Sequence, residues 1–458
     1  MTVTNAHPFQ VTNRLVLWIA VPMTLAFLTT PLLGVIGTAV VGQLGDAALI
    51  GGLAAGAAIF DLVFTTFNFL RSGTTGLVAQ AVGRDDPEGE KAAFYHAAAI
   101  ALGCGIILAV LGPAFAQAGA WFMDAEPAVS AAMTSYITIR MVSAPVALLN
   151  YAILGFVLGR GEAMLGLLLQ GVLNVANVLL CIELGLNQRW GVAGVAWASV
   201  ASETLAAVLG LGILLARFAR RPRITRSRLF DKAALLHMVA LNRDIMIRSF
   251  VLLAAFALFT RQGAQFGTIA LAANAVLMNF FLISGYFLDG FATAAEQITG
   301  RAIGSRYQPA FERGVRMTMA WGFALAAVLT VFFLGLGHSL IALMTTDLSV
   351  RSEAGHLLVW GALTSLTGVL AFLMDGVFIG ATWSRDMRNM MIVSFAIYAA
   401  LLVALGQSFG NAGLWAALHG FLLARGLSLL FILPRRKVQA FSSDAKGHAT
   451  PSEQRPLI

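Results

Sequence analysis

The chain has 458 residues, 59% of them hydrophobic and 11% charged, with a mean hydropathy of +0.81. A soluble protein of this size carries about 25% charged residues, so the composition excludes a water-soluble domain. The net charge of +8 falls mainly in loops, and that placement argues against nucleic acid as a partner.

A membrane-crossing helix needs about 20 apolar residues. Between Leu15 and Leu433 the sequence predicts about twelve such spans, at 15–41, 47–70, 92–115, 130–158, 163–186, 191–216, 245–266, 269–291, 317–340, 355–380, 389–408 and 412–434. None alternates apolar and polar residues as a barrel strand would, so the expected fold is an all-α polytopic membrane protein. The polar start, Met1 to Asn13, runs straight into a span-length apolar stretch, and no cleavable signal peptide is expected. An even number of spans puts both ends on one side. Placing them in the cytoplasm gathers Arg84, Lys91, Arg160, the run from Arg217 to Lys232, Arg301, Arg306, Arg313, Arg316, Arg385, Arg388 and Arg435 to Lys437 inside. Only Arg189, Arg261 and Arg351 lie in or near outer loops. This is a strong positive-inside bias, and such loops also meet anionic lipid headgroups.

The chain repeats itself. Asn68 to Gly83 aligns with Asp289 to Gly304, and Leu154 to Gly159 with Asp375 to Gly380, both with a shift of 221 residues. The expected architecture is therefore two six-helix lobes related by a pseudo-twofold axis along the membrane normal. The lobes are assigned to 1–216 and 244–434, joined by a basic cytoplasmic connector at 217–243 with Pro222 as a helix breaker, and followed by a polar cytoplasmic tail at 435–458. Twin lobes around a central cavity suit alternating access.

Charges inside apolar spans are costly and ask for a functional reason. Asp289 and Glu296 are seven residues apart and share one helix face, with Asn68 and Thr75 at the matching positions of the first lobe. Asp61 extends that face, and Arg71 lies one turn from Asn68. Asp375 stands alone in Phe372 to Gly380 and must be paired, protonated or hydrated. Glu203 and Arg425 occupy equivalent places on the last helix of each lobe; they either pair across the lobes or each serve their own, and Arg140 also needs a partner. Asn174 and Asn177 give the fifth span hydrogen-bonding capacity, for ligand or for neighbouring helices. His96, His419, Cys104 and Cys181 read as packing residues rather than metal ligands or disulfides. No phosphate loop, Gly-x-Ser-x-Gly or His-Glu-x-x-His is present. An enzyme is not expected, and an ion gradient is the default driver.

Several stretches carry a resemblance: Pro31 to Gly42, Phe69 to Gln80, Ser143 to Tyr151, Leu241 to Arg248, Asn274 to Met278, Leu288 to Ala292 and Phe378 to Thr382 with Met387 to Asn389. Together they resemble the multidrug and toxic compound extrusion (MATE) transporters, and among them the DinF-like branch. The resemblance implies a V-shaped cavity and export of organic, cationic or amphipathic compounds in exchange for H⁺, with Na⁺ as the second choice. It implies no other cofactor and no metal centre. The partners expected are a small organic substrate and membrane lipids, in a monomer of the bacterial inner membrane. Relatives carry an acid in the first helix where this chain has Gly37, and Asn-x-x-x-Asp in the fifth where it has Asn174 and Asn177. Asp375 matches the family's acidic tenth-helix position. Ion coupling is accordingly assigned to Asp61, Asp289, Glu296 and Asp375, and the substrate cavity to Asn68, Arg71, Asn150, Asn174, Asn177 and Glu203. The alternative is a lipid-linked precursor flippase of the same superfamily, for which Arg71, Arg140 and Arg425 would hold a diphosphate.

Overall fold

Apolar side chains drive the chain into helices because a backbone group in lipid must be bonded within its own segment. The computed structural model describes residues 9–221 and 224–442, and among them no strand occurs. The helices are α1 (Asn13–Gly42), α2 (Ala47–Gly83), α3 (Pro87–Met123), α4 (Pro127–Val142 plus Ala144–Gly159), α5 (Ala163–Asn187) and α6 (Gly191–Ala219). They continue with α7 (Lys232–Gln265), α8 (Thr268–Gly304), α9 (Gln308–Met344), α10 (Leu348–His356 plus Leu358–Gly380), α11 (Ser384–Gly406) and α12 (Ser408–Phe441). Ten of these are long and apolar enough to cross a membrane, or eleven with α4 taken as one span bent by 53°. The other, α7, has 34 residues and carries Arg243, Asp244, Arg248 and Arg261, which dilute its apolar character.

Short polar residues set the starts. Thr12, Asp46, Asp86, Asp231 and Asp347 each accept from a backbone N–H of the first turn of α1, α2, α3, α7 and the first part of α10. The expected continuous face of the second span is interrupted, because α2 breaks between Thr66 and Phe69. Asn68 sits in that break rather than within a helix. The α4 break at Ser143 precedes Pro145, which has no N–H to offer the preceding turn.

Helices outrun the apolar spans at the basic end. α9 begins at Gln308 instead of 317, and α12 continues to Phe441, seven residues past the expected 434. The connector is shorter than 217–243: α6 runs to Ala219 and α7 starts at Lys232, with one helical turn at Arg226–Leu229 between them. Pro222, Arg223, residues 1–8 and the tail from 443 lie outside the described residues.

The duplication is written in the backbone. Left-handed residues recur 221 positions apart at three turns: Asp85 and Arg306, Gly161 and Thr382, Arg189 and Gly410. Such φ values are uncommon for a residue with a side chain, so their recurrence marks two copies of one chain path.

The lobes meet at the end that carries the basic loops. One buried core crosses the boundary, joining Ala20, Met23 and Ala26 of α1 to Leu288, Ala294 and Ile298 of α8 and to Val377 of α10. Thr24 Oγ1 donates to Phe287 O at 3.3 Å, and Gln80 Nε2 donates to Gly380 O at 3.0 Å and to Thr382 Oγ1 at 3.1 Å. Glycines bring the backbones together. A Cβ on Gly304 would stand 2.0 Å from Gln80 O, and one on Gly83 would stand 2.2 Å from Arg301 O.

A loop clasp holds the basic end of the first lobe. Glu162 accepts from Arg160 Nε at 2.9 Å and from Arg217 of α6. Partial burial pushes its carboxyl up, but the hydrogen bonds and charges of Arg217 and Arg160 outweigh that and leave it below the usual glutamate range. A depressed folded value means the clasp stabilises fully above the unfolded pKa and is lost as pH falls through the folded one. Glu162→Gln should abolish that acid-side loss, an effect of up to about 1 kcal/mol for a half-exposed pair, read from melting curves at descending pH. Gly304→Val should force the seam apart. A clash of this kind costs about 1–3 kcal/mol, and accessibility of an introduced cysteine in the 381–383 turn should rise by about tenfold or more, as a thiol-labelling rate would show.

Candidate functional site: charged groups between two lobes

Burying a charge in a bilayer requires a partner, and each lobe supplies one from its own helices. In the first lobe Arg140 Nη2 donates to Glu203 Oε1 at 2.8 Å, linking α4 to α6. Arg140 Nη1 also donates to Ser143 Oγ at 3.2 Å, and its guanidinium lies 4.0 Å from the centroid of the Phe60 ring. Asn150 Nδ2 donates to the backbone oxygen of Glu203 at 2.9 Å. In the second lobe Asp375 Oδ2 accepts from Arg425 Nη2 at 2.8 Å and from Arg248 Nη2. Glu203 and Arg425 therefore do not pair across the lobes. Each serves its own, with opposite sign: the last helix carries the acid in one lobe and the base in the other.

Asp375 is 8% exposed and carries two guanidinium partners on one oxygen. Arg248 was not assigned to the site from sequence. Its signal was there, since it is a charge three residues beyond Ile245 at the edge of an apolar run.

The remaining acids make no ion pair with a described residue. Asp61 is exposed and within charge–charge range of Arg140. Asp289 is half-buried and within range of Arg71, Arg248, Asp375 and Arg425. Tyr286, half-buried on α8, lies within range of both Asp289 and Asp61, so one side chain senses acids of both lobes. Glu296 is 3% exposed, within reach of Thr75 and Arg71 of the other lobe. Arg71 Nε donates to Asn68 Oδ1 at 3.0 Å, while its buried Nη1 has no protein partner.

Two residues assigned to the cavity are engaged elsewhere. Asn174 donates to Thr29 of α1 and accepts from Gln170 at 3.1 Å. Asn177 donates to Ser199 at 3.0 Å and Ser202 at 3.3 Å on α6. Both are buried and tie α5 to its neighbours inside the first lobe, the helix-gluing use of an amide. Gly37 is likewise buried, and a Cβ there would meet Val195 Cγ1 at 3.2 Å and Leu53 Cδ2 at 3.9 Å. Its nearest neighbours are aliphatic. His419 sits between Thr367 Oγ1 at 2.7 Å and Trp360 O at 3.1 Å, and His96 contacts Leu229 O at 2.8 Å, so both are packing residues. Cys104 and Cys181 are free thiols.

Comparison with known proteins places the chain in a family. The MatE family profile matches twice, over residues 22–182 and 245–405. DNA damage-inducible protein F of Escherichia coli (strain K12) is 35% identical over 437 residues, covering 93% of either chain. Protein DETOXIFICATION 44, chloroplastic, of Arabidopsis thaliana is 28% identical, covering 89% of this chain and 79% of its own. The probable multidrug resistance protein NorM of Rhizobium meliloti (strain 1021) is 25% identical, covering 92% of both. A solved outward-facing structure of a multidrug resistance MATE family transporter superposes with a TM-score of 0.85 at 15% identity, covering 94% of this chain and 97% of that one. A double match to the family profile, a near full-length bacterial relative and twin helical lobes with ion pairs at their hearts lead to one conclusion: the chain belongs to the MATE family of multi-pass membrane transporters.

Proposed function

We propose that this protein is a secondary antiporter that exports organic, cationic or amphipathic compounds in exchange for H⁺ by alternating access. The observation that supports the reading is that Asp61 and Asp289, one from each lobe, are unpaired acids with Tyr286 within charge–charge range of both. Acids in a hydrated cleft attract cations and exchange protons with water. A lobe pair sealed at one end and open at the other is one half of an alternating-access cycle. The basic loops gathered at the sealed end favour a cytoplasmic-membrane protein with both termini inside and the cleft facing out.

Protons are favoured over Na⁺ by the donor set. At Asp375 an added cation would have to displace a guanidinium. Asp375 is therefore read as the anchor of Arg248 and Arg425, and coupling falls to Asp61, Asp289 and Glu296.

The flippase reading draws on Arg71, Arg140 and Arg425 as diphosphate holders. Arg140 and Arg425 are already bound to Glu203 and Asp375, which leaves Arg71 with an unpartnered nitrogen. One guanidinium is thin support for a diphosphate, and the antiporter is favoured.

Inverted vesicles given a proton gradient or a sodium gradient separately, with a cationic dye as substrate, test the reading. Dye export driven by sodium alone, or dye bound without response to either gradient, would overturn it. Asp61→Asn and Asp289→Asn should each lower proton-driven export by about tenfold or more, the effect of losing about 1.4 kcal/mol of coupling. Asp375→Asn should instead act on the fold, because it strands two buried guanidinium groups. Breaking such a pair costs about 3–5 kcal/mol, read as a lowered unfolding temperature in detergent.

A further inference from the structure

The basic end of the first lobe holds a cavity that the antiport reading does not use. It has a volume of about 330 Å³ and lies where the turn between α4 and α5 meets the end of α6. That size falls within the ~300–1,000 Å³ range of ligand pockets. Phe156 and Phe218 are buried and stand edge to face at 5.4 Å, so they form its floor. Arg160, Arg217, Arg220 and Arg221 line it above them, with Glu162 as the acid among them.

The arginines outnumber the acids that hold them. Glu162 accepts from Arg160 Nε at 2.9 Å and from Arg217 Nη1. Glu90 of α3, buried beside the cavity, accepts on one oxygen from Arg160 Nη1 and from Arg221 Nη1, the latter at 3.1 Å. Four guanidinium groups against these two carboxylates leave two positive charges over. The neighbouring acids of α3 are engaged elsewhere: Asp86 with Arg228 at 3.0 Å, and Glu88 with the Thr225 hydroxyl at 3.2 Å. Arg220 is exposed and pairs with no acid among the described residues. Arg217 and Arg221 each give a carboxylate only their Nη1, so the Nε and Nη2 of both remain as donors. Lys91 Nζ donates to Phe218 O at 2.8 Å and to Arg221 O at 3.4 Å, which fixes the end of α6.

The second lobe shows that the fold does not require this cavity. The 221-residue shift places Ala381 at Arg160, Trp383 at Glu162 and Phe311 at Glu90. There the Phe311 ring lies 6.0 Å from Trp383 and 5.7 Å from Phe441, the last residue of α12. Rings fill the corner that arginines line in the first lobe. Basic residues of α12 are taken up by acids, Arg436 by Asp386 at 2.6 Å and Lys437 by Glu312 at 2.8 Å. Membrane topology asks for positive charge at this end, but it does not ask for a cavity within that charge.

We propose that this cavity is a binding site for a phosphoryl group, and that its ligand is the headgroup of an anionic phospholipid such as phosphatidylglycerol. Guanidinium forks match phosphate oxygens. Basic pockets between membrane helices take anionic headgroups. The aromatic floor gives apolar contact to the glycerol and first acyl carbons of a lipid, which a free anion does not have. The site needs neither substrate nor gradient, so it stands or falls apart from the antiporter reading.

The test titrates the full chain in detergent with phosphatidylglycerol or with phosphatidylcholine, and native mass spectrometry reads the affinity of the first lipid bound. Phosphatidylglycerol should bind about tenfold or more tightly than phosphatidylcholine. Arg220→Gln, which breaks no ion pair, should weaken that first phosphatidylglycerol by about threefold. Arg217→Gln combined with Arg220→Gln should weaken it by about tenfold or more, with phosphatidylcholine unchanged. Arg435→Gln removes the same charge from an exposed position at the basic end of the second lobe, and should leave the affinity as it was. Equal binding of the two lipids would overturn the site. So would a loss in Arg435→Gln as large as in Arg220→Gln, which would make the attraction a property of the whole basic face. Inorganic phosphate added alone should fail to displace the lipid; displacement at equal concentration would overturn the lipid assignment in favour of a free anion. If the double variant melts early, Arg220→Gln alone decides.

Discussion

A charge in a low-dielectric interior must find its partner within the protein, and this constraint organises the molecule. Arg140 with Glu203, and Asp375 with Arg248 and Arg425, bind helices that are distant in sequence into two rigid lobes. Asp61, Asp289 and Glu296 form no guanidinium ion pair with a described residue. Groups locked in ion pairs hold shape.

Duplication supplied two copies of one frame, and substitution made them unlike. The left-handed turns still match at Asp85 and Arg306, Gly161 and Thr382, and Arg189 and Gly410. The chemistry does not. Glu203 and Arg425 sit at corresponding places with opposite charge, and Asn68 and Thr75 correspond to Asp289 and Glu296. The backbone frame is shared between the lobes, and the charges it carries are not.

The seam shows how the bodies meet without fusing. Gly83 and Gly304 let backbone touch backbone, and a few polar contacts such as Gln80 to Thr382 set the register. Small residues permit close approach without interlocking side chains. Such an interface separates more readily than a core of interdigitated leucines.

The sequence by itself determined the membrane class, the approximate place of the helices, the internal repeat and the family resemblance; it expected about twelve spans where ten, or eleven with the bent pair, are long and apolar enough. These follow from local hydropathy and from spacing along one chain, which need no knowledge of what touches what. It also singled out Asp375, Arg140, Glu203 and Arg425 as charges in need of partners. Only the tertiary structure decided the pairing: Arg248 joined Asp375, Arg140 took Glu203, and Asn174 and Asn177 turned inward to α1 and α6. It also broke α2 at Asn68, shortened the connector and set Glu296 against Thr75 of the other lobe. The physical reason is distance in sequence. Arg248 and Asp375 are 127 residues apart, and hydropathy carries no information about which buried charge will neutralise which.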